Sequence, residues 1–250
     1  MATSPRETRF NAAASSWDSN PNVQLATSLA HKALLARLST PSSSTPALST
    51  YDVLEIGCGT GLLSLALAPS FRSLTAVDAA QGMIDVLKSK LATSHSHVKN
   101  VLPICAMLED PDDERIQIDP LGEISHPDAE KRRFDLITSH LVLHHIPDLE
   151  PILKTMLGCL RPGSGRVMLT DYENFGPEAR KFHPESKMDE VERHGIGREE
   201  MRGLMEEAGF VDIKIEVAFE MDKLVETEPG SGIQGPSMVF PFLVCEGRRP

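Results

Sequence analysis

The chain is short of positive charge: 25 lysines and arginines face 36 aspartates and glutamates, a formal net charge of −11 over 250 residues. A protein that grips a phosphate backbone needs cations to displace its counterions, so DNA and RNA are disfavoured as partners. Aromatic side chains are scarce too, with one tryptophan and two tyrosines, which leaves few platforms on which single-stranded bases could stack. No apolar run approaches the ~20 residues of a membrane-spanning helix; the longest lies around residues 62–68. The first ten residues are polar and of mixed charge, unlike a secretory signal. Four cysteines (Cys58, Cys105, Cys159 and Cys245) are scattered and form no C-x-x-C pair. They read as free thiols in a reducing compartment, the cytoplasm.

The length suits one domain that folds without disulfides or a structural metal. Residues 23–38 carry Val23, Leu25, Leu29, Ala33, Leu34 and Leu38 at helical spacing, an amphipathic helix. Residues 39–50 are rich in Ser, Thr and Pro and read as a linker. A strict alternation follows. Strands are expected at 52–56, 74–77, 101–104, 134–138 and 166–170, and helices at 61–68, 83–91, 149–160 and 198–208. Such alternation predicts a mainly parallel sheet with helices on both faces. The final strands, 211–218 and 238–245, have no helix between them and are expected to pair antiparallel at one edge, where Pro241 is tolerated. Residues 109–133 are acidic at the start and turn-rich, and read as a mobile insertion. Lys131-Arg132-Arg133, at its end, reads as a solvated approach to the next strand.

The most informative segment is Val53-Leu54-Glu55-Ile56-Gly57-Cys58-Gly59-Thr60-Gly61, a buried strand running into a turn with glycines at alternate positions. Glycine permits φ > 0 and lets a ligand approach the backbone without a Cβ between them. Dinucleotide sites use G-x-G-x-x-G with a pyrophosphate at the helix N-terminus. Here the spacing is G-x-G-x-G, and Glu55 stands two residues before the first glycine. A carboxylate there repels a pyrophosphate and suits a cofactor bearing an ammonium and a sulfonium. Asp78, at the end of the second strand, is placed to accept hydrogen bonds from two ribose hydroxyls. Cys58 is expected to be a small packing residue of the turn.

Glu55-Ile56-Gly57-Cys58-Gly59-Thr60-Gly61 resembles the glycine motif of class I S-adenosylmethionine-dependent methyltransferases. Val77-Asp78-Ala79-Ala80-Gln81-Gly82-Met83-Ile84 is similar to the second motif of the type 11/12 and ubiquinone/menaquinone-biosynthesis branch. Phe134-Asp135-Leu136-Ile137-Thr138-Ser139 with Leu143-His144-His145-Ile146 resembles its fourth motif, and Leu160-Arg161-Pro162-Gly163-Ser164-Gly165 the turn before its fifth strand. Phe10, Ala14, Trp17 and Asp18 stand where that branch carries an aromatic N-terminal lid. The resemblance implies a Rossmann-like, seven-stranded, mainly parallel sheet with its last strand antiparallel. It implies a lid and linker over residues 1–50 and a methyltransferase domain over 51–250. It further implies S-adenosyl-L-methionine as cofactor, with Gly57, Gly59 and Gly61 at its methionine moiety, Asp78 at the ribose, Ala79 and Met83 around the adenine, and Ser139 and His140 at the sulfonium. Trp17, Glu55 and Cys58 complete the expected cofactor set. One departure stands out: Ile104-Cys105-Ala106-Met107-Leu108-Glu109 has no carboxylate before Glu109 to meet the adenine amino group. Ala106 and Met107 are therefore expected to receive the ring by backbone and packing contacts.

Methyl transfer from a sulfonium is an in-line displacement, for which an enzyme aligns donor and acceptor, excludes water and in some cases takes a proton. Residues 171–195 follow the fifth strand, where acceptor pockets of such enzymes are built. His183 or His194 in that stretch is the expected general base, with a solvated lid carrying incidental histidines as the alternative. His144 and His145 are read as packing residues that bond the backbone, with support of the pocket as their functional alternative. A zinc site at His140 and His144 is set aside, because no cysteine or glutamate stands at ligand spacing. The expected acceptor is a small organic molecule. A protein acceptor, or a cofactor-binding regulatory or scaffold role without methylation, stays open.

Overall fold

A computed structural model describes residues 5–39, 47–122 and 131–250. Much of the linker expected over 39–50, and residues 123–130 of the expected insertion, therefore lie outside the described residues. The chain opens with two helices, α1 (Pro5–Trp17) and α2 (Pro21–Leu38). The second is capped by Asn20, whose side chain accepts the N–H of Asn22, and it begins at Pro21, where a missing N–H costs nothing.

Then come β1 (Asp52–Ile56), α3 (Leu62–Leu67), β2 (Ser73–Asp78), α4 (Gln81–Ala92), β3 (Val101–Cys105), β4 (Leu136–His140), α5 (Leu149–Cys159), β5 (Arg166–Tyr172) and α6 (Arg198–Ala208). β6 (Val211–Glu226) and β7 (Gln234–Arg248) close the chain as a long hairpin. The seven strands form one sheet in the order β3-β2-β1-β4-β5-β7-β6. The first five are parallel; β7 runs antiparallel to both β5 and β6. The chain starts at the centre, winds out through β2 and β3, then crosses to β4. The crevice beyond the C-terminal ends of β1 and β4 is thus the switch point at which open α/β sheets bind ligands.

Both sheet faces are covered, which is why the central strands read as continuous apolar runs. One face packs Leu153, Met156, Met201 and Met205 of α5 and α6; the other packs Leu34, Leu63, Leu67, Ile84 and Leu87 of α2, α3 and α4. Each such fully buried side chain contributes about 1.5–3 kcal/mol. Gly209 ends α6 with φ +100, the left-handed cap its position after the helix suggested.

Three sequence expectations change. Pro241 lies in β7, an interior strand, because β6 takes the edge. Its carbonyl accepts the N–H of Glu173 just past the last residue of β5, so its missing N–H falls where that ladder ends. The fourth strand begins at Leu136 rather than 134, and Phe134 makes only an isolated bridge with Leu160. Arg132 is not solvated: its side chain is 8% exposed, bonds Thr75 and Ser73 and the carbonyls of Ile116 and Ile118, and lies 4.7 Å over the ring of Phe134. A run of three basic residues looks solvated in sequence, but the buried carboxylate of Asp52, 3.7 Å away, gives this guanidinium a partner inside.

Candidate active site

The site grows from the turn after β1. Gly57, Gly59 and Gly61 adopt φ of +73, +53 and +80, so the alternate glycines answer a backbone that L side chains rarely take. Their tasks differ. A Cβ on Gly57 would lie 2.3 Å from Val142, and one on Gly61 2.3 Å from Leu87, so both close protein–protein contacts. A Cβ on Gly59 would meet only the indole Nε1 of Trp17, at 4.0 Å, and would otherwise project into open space. That space is a cavity of about 560 Å³ at the switch point, lined from β1, β2, β4 and the segment after β3 below and by Phe10, Trp17, Val23 and Thr27 of α1 and α2 above.

Asp78 ties the turn to β2. One carboxylate oxygen accepts the N–H of Gly59 and the other that of Ala80, each at 2.8 Å. Burial pushes its carboxyl up and these two hydrogen bonds oppose the shift. Each oxygen keeps a lone pair for a ligand hydroxyl. Glu55, 2% exposed on β1, accepts the hydroxyl proton of Ser64. Burial pushes it up to about 8, with the charge of Asp78 adding to the rise and Ser64 opposing it. Four carboxylates (Glu55, Asp78, Glu109 and Asp148) reach the lining, and no lysine or arginine does among the described residues.

The roof is bolted down. Asn11 accepts the N–H of Gly82 at the start of α4 at 2.6 Å. Asp18 pairs with Lys90 and accepts from Thr60, while Lys90 also donates to the Thr60 carbonyl at 2.8 Å. Phe10 meets Trp17 edge-on at 5.8 Å and His145 at 5.2 Å, so the lid aromatics touch the residues after β4.

Behind that wall lies a histidine cluster. His144, 1% exposed, directs Nδ1 at Asp171 Oδ1 (2.8 Å), and Asp171 also accepts the backbone N–H groups of His144 and Tyr172. The His144 ring lies 3.9 Å from that of His145 and 5.2 Å from that of His183. Tyr172 Oη stands 3.4 Å from His183 Nδ1. Burial pushes His183 down to about 2, reinforced by the neighbouring histidines.

Comparison with known proteins supplies the family. A family model described as a methyltransferase domain matches residues 24–215. The chain belongs to this methyltransferase family. It is 26% identical over 148 residues to an uncharacterized methyltransferase of Schizosaccharomyces pombe, covering 59% of this chain and 47% of that one. It is 32% identical over 123 residues to a ubiquinone biosynthesis O-methyltransferase of Coxiella burnetii, covering 49% and 44%. The chain thus spans about half the length of these curated relatives. Its fold matches that of the YcgJ protein of Bacillus subtilis with a TM-score of 0.60 at 16% identity, over 88% of this chain and 99% of that one.

In this methyltransferase-family chain the structure gathers most of the sequence-predicted set around one cavity: Trp17, Glu55, Gly57, Cys58, Gly59, Asp78, Ala79, Met83, Ala106, Met107 and His140 all line it. Met107 is 58% exposed at the rim. Gly61, Ser139, His183 and His194 do not line it. Sequence reasoning missed the contribution of Val23, Thr27 and Leu141. Leu141 takes φ +57, a strained value for a bulky residue, immediately after β4. Nothing in the composition around Leu141 signals that. His144 was expected to bond the backbone; its side chain instead meets the Asp171 carboxylate, a partner 27 residues away that β5 delivers.

Proposed function

We propose that the chain transfers a methyl group from S-adenosyl-L-methionine to a small organic acceptor. The observation that carries this reading is the Asp78–Gly59 junction: a carboxylate with two free lone pairs beside a glycine whose missing Cβ opens the cavity, in a lining with four acidic side chains and, among the described residues, no lysine or arginine. A pyrophosphate would find no cation there, whereas a ribose diol and a cationic sulfonium find matching groups.

Asp78 would bind the ribose hydroxyls, Gly57, Cys58 and Gly59 the methionine moiety, and Ala79, Met83, Ala106 and Met107 the adenine. Trp17 and Glu55 would close the methionine end, and His140 would face the reacting methyl. When bound, the cofactor supplies an electrophilic methyl group on a sulfonium. The protein aligns the acceptor and excludes water, with α1 and α2 as the roof. The net charge of −11 disfavours nucleic acid as acceptor. Among the described residues no helix is long and apolar enough to cross a membrane. The absence of a disulfide among the four cysteines fits a cytoplasmic setting.

Calorimetric titration with S-adenosylmethionine, S-adenosylhomocysteine and NAD, on the wild type and Asp78→Ala, tests the reading. Binding of both sulfur compounds, weakened in the variant and absent for NAD, is expected. Binding of NAD in preference to both would sink it.

A further inference from the structure

Of the four histidines around the cavity wall, only His140 and His145 line it. We propose that His140 is the catalytic proton acceptor, through the lone pair of its Nε2, and that the acceptor is an un-ionised hydroxyl compound methylated on oxygen. The proposal rests on the methyl-transfer reading above.

The register of the sheet sets the tautomer. His140, last residue of β4, lies directly opposite Thr170 in the parallel β4–β5 ladder, and Nδ1 comes 2.9 Å from Thr170 Oγ1. A hydroxyl has one proton. That of Thr170, fully buried, is directed at the carbonyl of Ser139 at 3.3 Å. In the tautomer we assign, the threonine oxygen accepts from Nδ1–H and the lone pair of the ring is left on Nε2. Nε2 is buried and meets no hydrogen-bond partner among the described residues. An acceptor atom desolvated and left without a donor is costly in a structural histidine and useful in one that awaits a substrate hydroxyl.

The surroundings keep that lone pair available. Burial pushes the imidazole down to about 4; Asp171 opposes the shift and His144 adds to it. At neutral pH the ring is uncharged. So weak a base suffices, because the hydroxyl proton becomes strongly acidic as the new bond forms. The acceptor oxygen forms an O–C bond while the S–C bond breaks and sulfur keeps that electron pair. The hydroxyl proton passes to Nε2, giving an imidazolium that later returns it to water. An amine acceptor would arrive protonated, and an imidazole this weak cannot strip an ammonium. A carboxylate acceptor has no proton to give.

The test combines a spectroscopic and a kinetic readout. In 15N-histidine-labelled protein saturated with S-adenosylhomocysteine, NMR should show His140 protonated at Nδ1 and bare at Nε2, and Thr170→Val should give a tautomer mixture. His140→Gln is assayed at saturating S-adenosylmethionine. Its turnover on phenols should fall by roughly 10²-fold, the lower end of what a general base supplies. That deficit should shrink as the phenol becomes more acidic and vanish for 2,4-dinitrophenol, already ionised in the assay. A proton on Nε2, or a deficit independent of acceptor acidity, would overturn the proposal. A wild type that binds S-adenosylmethionine and methylates benzylamine but no phenol would overturn it while leaving methyl transfer standing. A wild type that binds neither sulfur compound would overturn both.

Discussion

Asp171 holds His144 from two sides, accepting Nδ1 of its ring at 2.8 Å on one oxygen and its backbone N–H at 3.1 Å on the other. The carboxylate belongs to β5 and the histidine to the short turn after β4, so this contact fixes the wall of the cavity to the sheet. Burial alone would push Asp171 up, but the attraction and hydrogen bonds of His144 outweigh it and hold the carboxyl below its ordinary range. The sign follows: a lowered folded value gives stability that is present at neutral pH and lost as pH falls through the depressed value. Asp171→Ala leaves three donors unpaired in the interior and should lower the unfolding free energy by about 3–5 kcal/mol. Urea denaturation at neutral pH measures it.

Glu55 gives the opposite slope. Its folded value of about 8 lies above the ordinary 4.5, so between these the folded chain binds a proton that the unfolded chain has lost. Its contribution is fully present below about 4.5 and disappears as pH rises through about 8. Wild-type stability should therefore fall by a few kcal/mol across that window, at about 1.4 kcal/mol per pH unit at most. Glu55→Gln should flatten the fall, as denaturation at several pH values would show.

The three glycines of the turn should separate by experiment. Gly61→Ala forces a methyl to within 2.3 Å of the buried Leu87 at φ +80 and should cost about 2–3 kcal/mol, seen as a lower Tm. Gly59→Ala has room on the protein side and should cost only about 1–2 kcal/mol for its left-handed backbone. Its methyl occupies the cavity instead, so its loss should appear mainly in the Kd for S-adenosylmethionine.

Asp78→Ala removes two oxygens, each able to receive a ribose hydroxyl. At about 1.5 kcal/mol or more per charge-assisted bond, the Kd for S-adenosylmethionine should rise roughly 10²-fold. Calorimetry against a circular-dichroism check of folding decides it. An unchanged Kd in a folded variant would remove Asp78 from the ribose site.

Trp17→Ala tests the roof. Its Nε1 faces Gly59 and its ring meets Phe10, while Asp18 beside it keeps α1 on Lys90 and Thr60. Stability should change little, because Trp17 is only partly buried. The off-rate of S-adenosylhomocysteine, followed by stopped flow, should rise several-fold.

Local chemistry wrote much of this in the sequence. Three glycines at alternate positions announce a left-handed turn because φ > 0 is a property of single residues. A carboxylate at a strand end announces a ligand because its chemistry does not depend on distant partners. Strand–helix alternation fixes a parallel sheet, since each apolar run needs cover on both faces. The choice among histidines could not be read this way. His140, His144, His183 and His194 are alike as residues, and differ only in what the fold sets beside them. Sheet register puts Thr170 against His140, the turn after β4 brings His144 to Asp171, and His183 and His194 do not line the cavity. Arg132 makes the same point on the far side of the sheet, charged like its neighbours yet buried because Asp52, 80 positions earlier, awaits it. Backbone conformation and burial periodicity made the elements and the glycine turn legible in the residues alone. The tertiary structure decided which titratable groups are desolvated, paired or left with a free lone pair, because those depend on contacts between strands far apart in the chain.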